Sequence, residues 1–318
     1  MNFASEAADS PVMAAIDFSP ITKSLIDYAA RVAQTENTPL RLVYVLPPHP
    51  ENSYRTLQLR KEELSDTVAK ASAEWRRSGL SVGGVFAMGA VAAELVHIGN
   101  RLNASYIVIG TSGPAGTQPH PTGSITATVI RKSNRPVLAL GPAALRRERK
   151  TLPWKHLLLA CETSRQVMEA ALLAGNMALR RQATLAIFCI GKSGLKNLPR
   201  DQLALLERLM SREAWRAIQP ACAIREGDPA AEIVRLAEEL RADLLLLGVR
   251  TGSDLIADLR GGIFGEVLRS VRCPAMTLWT RRDRHTAWKV LPPVDPGAID
   301  SSPPTGEGLR PARNSPLP

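Results

Sequence analysis

Two stretches of this chain, GAVAAELVHIGNRLNASYIVIG from Gly89 to Gly110 and GDPAAEIVRLAEELRADLLLLG from Gly227 to Gly248, are one segment written twice. Eight of the 22 aligned positions are identical, and the offset of 138 residues goes on to superpose Gly123 on Gly261 and Pro136 on Pro274. Self-similarity at a fixed offset marks a duplication. Each copy has a glycine, a run with apolar residues at helical spacing, and an apolar run of strand length. The beginnings repeat as well. VMAAIDFSP (12–20) and LLLACETSR (157–165) are apolar runs broken by an acid and a small polar residue, with seven extra residues before the glycine in the first copy.

In the first copy VMAAI, LRLVYVL, SVGGVFAM, SYIVIG and RPVLAL read as strands, and SLIDYAARVAQ and AAELVHIGNRL as helices. Near-continuous apolar strands alternating with helices indicate a parallel sheet covered on both faces. The expected fold is α/β: two tandem Rossmann-like domains, each a five-stranded parallel doubly wound sheet. The expected boundaries are an N-terminal arm at 1–10, a first domain at 11–142, a linker at 143–155, a second domain at 156–280, and a tail at 281–318 whose many prolines leave little to bury and predict disorder.

A length of 318 residues suits two domains plus tails, and the hydrophobic and charged contents of 45% and 22% place the chain among ordinary globular proteins. The net charge of +10 gathers in RRERK (146–150) and RRDR (281–284), which flank the domains. With no recognisable nucleic-acid module, specific nucleic-acid binding is not expected. Cys161, Cys189, Cys222 and Cys273 are too scattered for a zinc site or a disulfide framework. Glu6 and Asp9 stand where a secretory signal needs basic residues, and no apolar run approaches the roughly 20 residues of a membrane span, so a cytoplasmic location is expected.

After the fourth strand of copy one comes GTSGPAGTQPHPTGS, in which Gly110, Gly113, Gly123 and Ser124 have the spacing GxxGxxxxxxxxxG[S/T]. Glycines at 110 and 113 let backbone N–H groups approach a ligand and form an anion-binding concavity. Gly123 and Ser124 open the run SITATVIRK, whose helix N-terminus favours phosphate. Asp17, an acceptor when ionised, suits ribose hydroxyls or a donor on a base and would repel phosphate. Each feature also has an ordinary explanation: glycines make turns, and Asp and Ser cap helices.

Taken together, Asp17 ending the first strand, the xPAAEL-like segment, the glycine loop and the closing RPVLAL resemble the ATP-binding subgroup of the universal stress protein family. The resemblance implies that strands one and four are neighbours at the topological switch point, which brings Asp17 and the Gly110 loop into one pocket. It implies that Ala15, Ile16 and Val43 line the adenine side, that Ser112, Ile125 and Thr126 supplement the phosphate loop, and that Ile109 also belongs to the nucleotide-binding set. The implied ligand is ATP or the related ADP or AMP, with Mg as its companion. The two domains are further expected to associate through their final strands as an intrachain pseudo-dimer. A homodimer and an unnamed protein partner stay open.

The loop of copy one has three prolines and no Lys or Arg between Gly113 and Gly123, leaving His120 as its candidate cation. Weaker binding than a charge-assisted contact would give is expected. Copy two departs further: Glu162 replaces the aspartate, Thr251 falls at the Gly113 position and Gly262 at the Ser124 position. Copy two is therefore read as a structural partner. No hydrolase elbow, Walker lysine or zinc motif occurs, so the expectation is a binding protein with at most slow ATP hydrolysis. A nucleotide-free scaffold for protein partners is the alternative.

Overall fold

The computed structural model describes residues 10–50, 52–111, 124–146, 152, 154–162, 167–190, 221–225, 227–250 and 263–280. The first half contains β1 (Val12–Ile16), α1 (Thr22–Thr35), β2 (Leu40–Leu46), α2 (Tyr54–Trp75), β3 (Val82–Met88), α3 (Val91–Arg101), β4 (Tyr106–Gly110), α4 (Ser124–Lys132), β5 (Val137–Leu140) and the short α5 (Pro142–Arg146). The second half contains β6 (His156–Glu162), α6 (Val167–Arg181), β7 (Thr184–Ile190), β8 (Ala221–Arg225), α7 (Pro229–Glu239), β9 (Leu244–Arg250), α8 (Ile263–Ser270) and β10 (Ala275–Thr280).

The ten strands form one sheet in the order β3-β2-β1-β4-β5-β10-β9-β6-β7-β8. Each half has the same internal order, and every pairing within a half is parallel. The halves meet where β5 and β10 pair antiparallel, with Ala275 opposite Ala139 and Met276 opposite Leu138. The two expected five-stranded sheets are thus fused into one.

Strand periodicity explains the two cores. Along β2, Leu40, Leu42, Tyr44 and Leu46 belong to the core that α1 and α2 cover, while Val43 and Val45 belong to the core under α3. Both cores run through both halves: the first joins Leu25 and Leu42 to Ala174 and Leu246, the second Ile98 and Ile130 to Ile233 and Phe264. β1 and β4, central and apolar on both sides, read as continuous hydrophobic runs for that reason.

The duplication is visible in the backbone. Gly89 and Gly227 both take positive φ, 146° and 139°, at the turn before α3 and α7, a region that glycine enters without a Cβ clash. Asn103 and Arg241 repeat a left-handed φ of 50° just past the same two helices. Gly141 is required for a different reason. A Cβ there would lie 2.0 Å from the carbonyl oxygen of Leu268, so α8 of the second half docks directly on this backbone.

Candidate functional site

β1 and β4 lie side by side in parallel, with Ala15 opposite Ile109. Their carboxyl ends therefore open together, and Asp17, two residues beyond Ala15, falls level with Thr111, just past Gly110. Open α/β sheets place ligands in such a crevice at the switch of strand order. Here the chain runs outward from β1 through β2 to β3, then returns to the other side of β1 as β4.

α4 begins at the same end. The Thr126 hydroxyl donates to the Gly110 carbonyl over 2.8 Å, tying the first turn of α4 to the end of β4. Thr126 is 2% exposed, so it positions the helix start against the strand. The Thr111 N–H donates to the Leu140 carbonyl over 3.0 Å, which secures the other flank against β5. The result is a helix N-terminus held beside the β1–β4 crevice, an arrangement that favours an anion. Ser124 is the first residue of α4, and Ile125 is exposed at 40%.

Asp17 is half-buried and its Oδ1 accepts two bonds, from the Ser19 N–H at 3.0 Å and the Thr22 hydroxyl at 3.3 Å. This is an Asx turn that shapes the entry into α1. Among the described residues, Oδ2 takes no hydrogen bond. The next residue, Phe18, has φ 57°, uncommon for a side chain of that size. Its ring then packs on Tyr44 with centroids 4.6 Å apart, and the Arg60 guanidinium lies 5.8 Å from the ring centre. Burial pushes the Tyr44 phenol up from its ordinary value; Arg60 opposes this, and the carboxylates of Glu63 and Asp17 add to it.

The expected adenine-side residues separate. Ala15 is half-buried on the face of Ile109 and Val43. Ile16 belongs to the opposite core, with α1 and α2. Val43 is fully buried at 0% exposure, and Ile109 is buried with it. Ser112, Gly113, Gly123 and His120 lie outside the described residues, as do Thr251 and Gly262 of the second half. Ser19, Thr22 and Thr111 belong to the site's framework and were not singled out from the sequence. The signal for Ser19 was Asp17 itself: an aspartate side chain readily accepts from the backbone N–H two residues on, which is the Asx turn seen here. Among the described residues, no three His, Cys, Asp or Glu side chains gather to hold a metal ion.

The model of the Universal stress protein family matches this chain twice, over residues 10–141 and 153–278. The chain belongs to the universal stress protein family. The two matches correspond to the two halves of the fused sheet, so this is a tandem family member. Universal stress protein MJ0531 of Methanocaldococcus jannaschii is 27% identical over 139 residues, covering 39% of this chain and 82% of that protein. A universal stress protein of Archaeoglobus fulgidus shares the fold over 86% of this chain and 98% of its own, with TM-score 0.69 at 16% identity. Another solved universal stress protein from Archaeoglobus fulgidus, in complex with dAMP, covers 42% of this chain and 98% of its own at 24% identity and TM-score 0.35. No helix among the described residues is long and apolar enough to cross a membrane.

Proposed function

We propose that this tandem universal stress protein binds ATP or a related adenine nucleotide in its first half, and that occupancy changes how the protein interacts with a partner in a cytoplasmic stress response. The observation that carries this reading is the Thr126–Gly110 hydrogen bond. It holds the α4 N-terminus at the crevice where Asp17 follows β1, which would put a phosphate-favouring end and a carboxylate acceptor at the carboxyl ends of the same two strands. Asp17 would take ribose hydroxyls or the base edge through Oδ2 while Oδ1 keeps the turn. Ala15 would border the base, and Ser124 with the glycines at 110, 113 and 123 would approach the phosphates. Mg would be carried on the phosphates. Turnover would be slow at most, since the sequence carries no Walker-type lysine loop.

The two bonds on Asp17 Oδ1 favour a second reading, in which the aspartate only shapes the β1–α1 turn and the chain is a nucleotide-free scaffold. Releasing bound small molecules from purified protein and identifying them by mass spectrometry separates the two. An adenine nucleotide released from wild type, and lost from folded Asp17→Ala and Gly113→Val variants, supports binding. A folded wild type that carries none and shows no thermal shift with added ATP, ADP or AMP leaves the scaffold.

A further inference from the structure

The junction between the halves has a local two-fold relation that can be read residue by residue. Leu138 and Met276 are equivalent under the 138-residue offset and lie opposite each other where β5 meets β10. Nearer the start of each half the offset is 145 residues, which matches Val12 to Leu157. It also matches Asn37 to Gln182, with φ 53° and 49° just past α1 and α6. Glu36 and Arg181 are therefore equivalent too, and they are joined by an ion pair across the junction. In a two-fold pairing a residue at such a position meets its own counterpart.

The chemistry around that pair is divided unevenly. Arg181 also donates to the Tyr106 hydroxyl at 3.2 Å and stacks on Trp154 at 4.6 Å from the ring centre. The Trp154 indole N–H donates to the Tyr28 hydroxyl at 2.9 Å, and Tyr106 meets Trp154 edge-on at 6.0 Å. The acceptors Glu36, Tyr28 and Tyr106 all belong to the first half, the cation and the indole to the second. The equivalents of Tyr28 and Tyr106 in the second half are Leu173 and Leu244. A pairing of two first halves would set Glu36 against Glu36. A pairing of two second halves would bury Arg181 against Arg181 among leucines, leaving each guanidinium without an acceptor.

We propose that this two-fold face is coded for one partner: the first half accepts the second half and rejects another first half, so the face recruits no second copy of the chain. The code is the Glu36–Arg181 charge pair with its Tyr28, Tyr106 and Trp154 neighbours. Like charges placed together disfavour the wrong pairing, and their opposition favours the right one.

The full chain carries its own test, because each single reversal inserts one wrong combination into the native junction. Arg181→Glu gives Glu against Glu, and Glu36→Arg gives Arg against Arg. Each should lower the folded-to-unfolded ratio roughly tenfold or more, with part of the loss removed by added salt, and the double reversal should recover most of it. Should a reversal prevent folding, Glu36→Gln and Arg181→Gln run the same cycle with smaller amplitude. Partner choice is read separately with Leu138→Cys under mild oxidation. Leu138→Cys alone should give no more disulfide-linked dimer than wild type, whose four cysteines set the background, while Leu138→Cys with Met276→Cys should cross-link within the chain. Additive single effects with no recovery in the double, or abundant disulfide-linked dimers of the Leu138→Cys single variant, would overturn the proposal.

Discussion

The Thr126 hydroxyl and the Gly110 carbonyl, 16 residues apart in sequence, are joined by a 2.8 Å hydrogen bond that fixes where helix α4 starts relative to the end of strand β4. The place of the anion-favouring helix end in the candidate site depends on that anchor. The buried Ala127, Val129 and Ile130 hold the rest of α4 on the sheet. Thr126→Val keeps the shape and removes the donor. It should cost about 1–2 kcal/mol of stability, in the range for a lost buried hydrogen bond, and weaken nucleotide binding more than the nearby exposed Ile125→Ala does. Denaturant midpoints and titration with ATP check both parts.

Gly141 should not tolerate even one methyl group. Its Cβ would sit 2.0 Å from the Leu268 backbone oxygen, which has no flexible end to give way. Gly141→Ala is expected to destabilise the junction of the halves by at least about 1–3 kcal/mol. Gly79→Ala, at φ 73° in open space, should cost only about 1 kcal/mol through backbone strain alone. Thermal melts of the two variants side by side test the contrast.

Phe18 combines an unfavourable backbone with a useful ring. Its φ of 57° costs on the order of 1 kcal/mol, while the ring packs on Tyr44. Phe18→Gly loses the ring and relieves the backbone; Phe18→Ala loses the ring and keeps the strain. Both should destabilise, with glycine the milder by about 1 kcal/mol, an inversion of the usual order measured by chemical denaturation.

The junction tyrosines make stability fall at high pH. Burial pushes the Tyr106 phenol up to about 12 from 10.0, and burial raises Tyr28 as well. The folded chain then keeps protons that the unfolded chain has released. The contribution is whole below about pH 10 and is lost as pH climbs towards 12, about 2–3 kcal/mol for Tyr106. Tyr106→Phe should flatten this loss in denaturation curves collected across the alkaline range, and tyrosinate absorbance should rise late in the native protein.

Helix capping differs between equivalent positions. Asp228 caps α7 by accepting from the Ala231 N–H at 2.8 Å, whereas its counterpart Ala90 leaves α3 without a side-chain cap. Asp228→Ala should lose about 1 kcal/mol and Ala90→Asp should gain a similar amount. Equilibrium unfolding of the two variants reads both directions.

Much of the fold was legible because the signals were repeated. The segment from Gly89 to Gly110 and its copy fix helix, strand and order together, and interior strands such as β1 announce themselves by unbroken apolar runs. The site was less legible residue by residue. Ala15 lies with Val43 and Ile109 on one face of the sheet, and strand alternation sends Ile16 to the opposite core. Val43 illustrates a real limit of pattern: an apolar residue on a central strand reads alike whether it walls a pocket or is packed away at 0% exposure. The Glu36–Arg181 pair was hidden for another reason. The seven extra residues shift the offset from 138 to 145, so the two positions do not align under the offset that reveals the duplication.

Calorimetric titration of ATP into nucleotide-stripped full-length protein tests the central claim most directly. The account predicts saturable binding of one nucleotide per chain, abolished by Asp17→Ala in the first half and unaffected by Glu162→Ala in the second. Two equivalent sites per chain, binding that survives Asp17→Ala, or no heat from a demonstrably folded protein would contradict it.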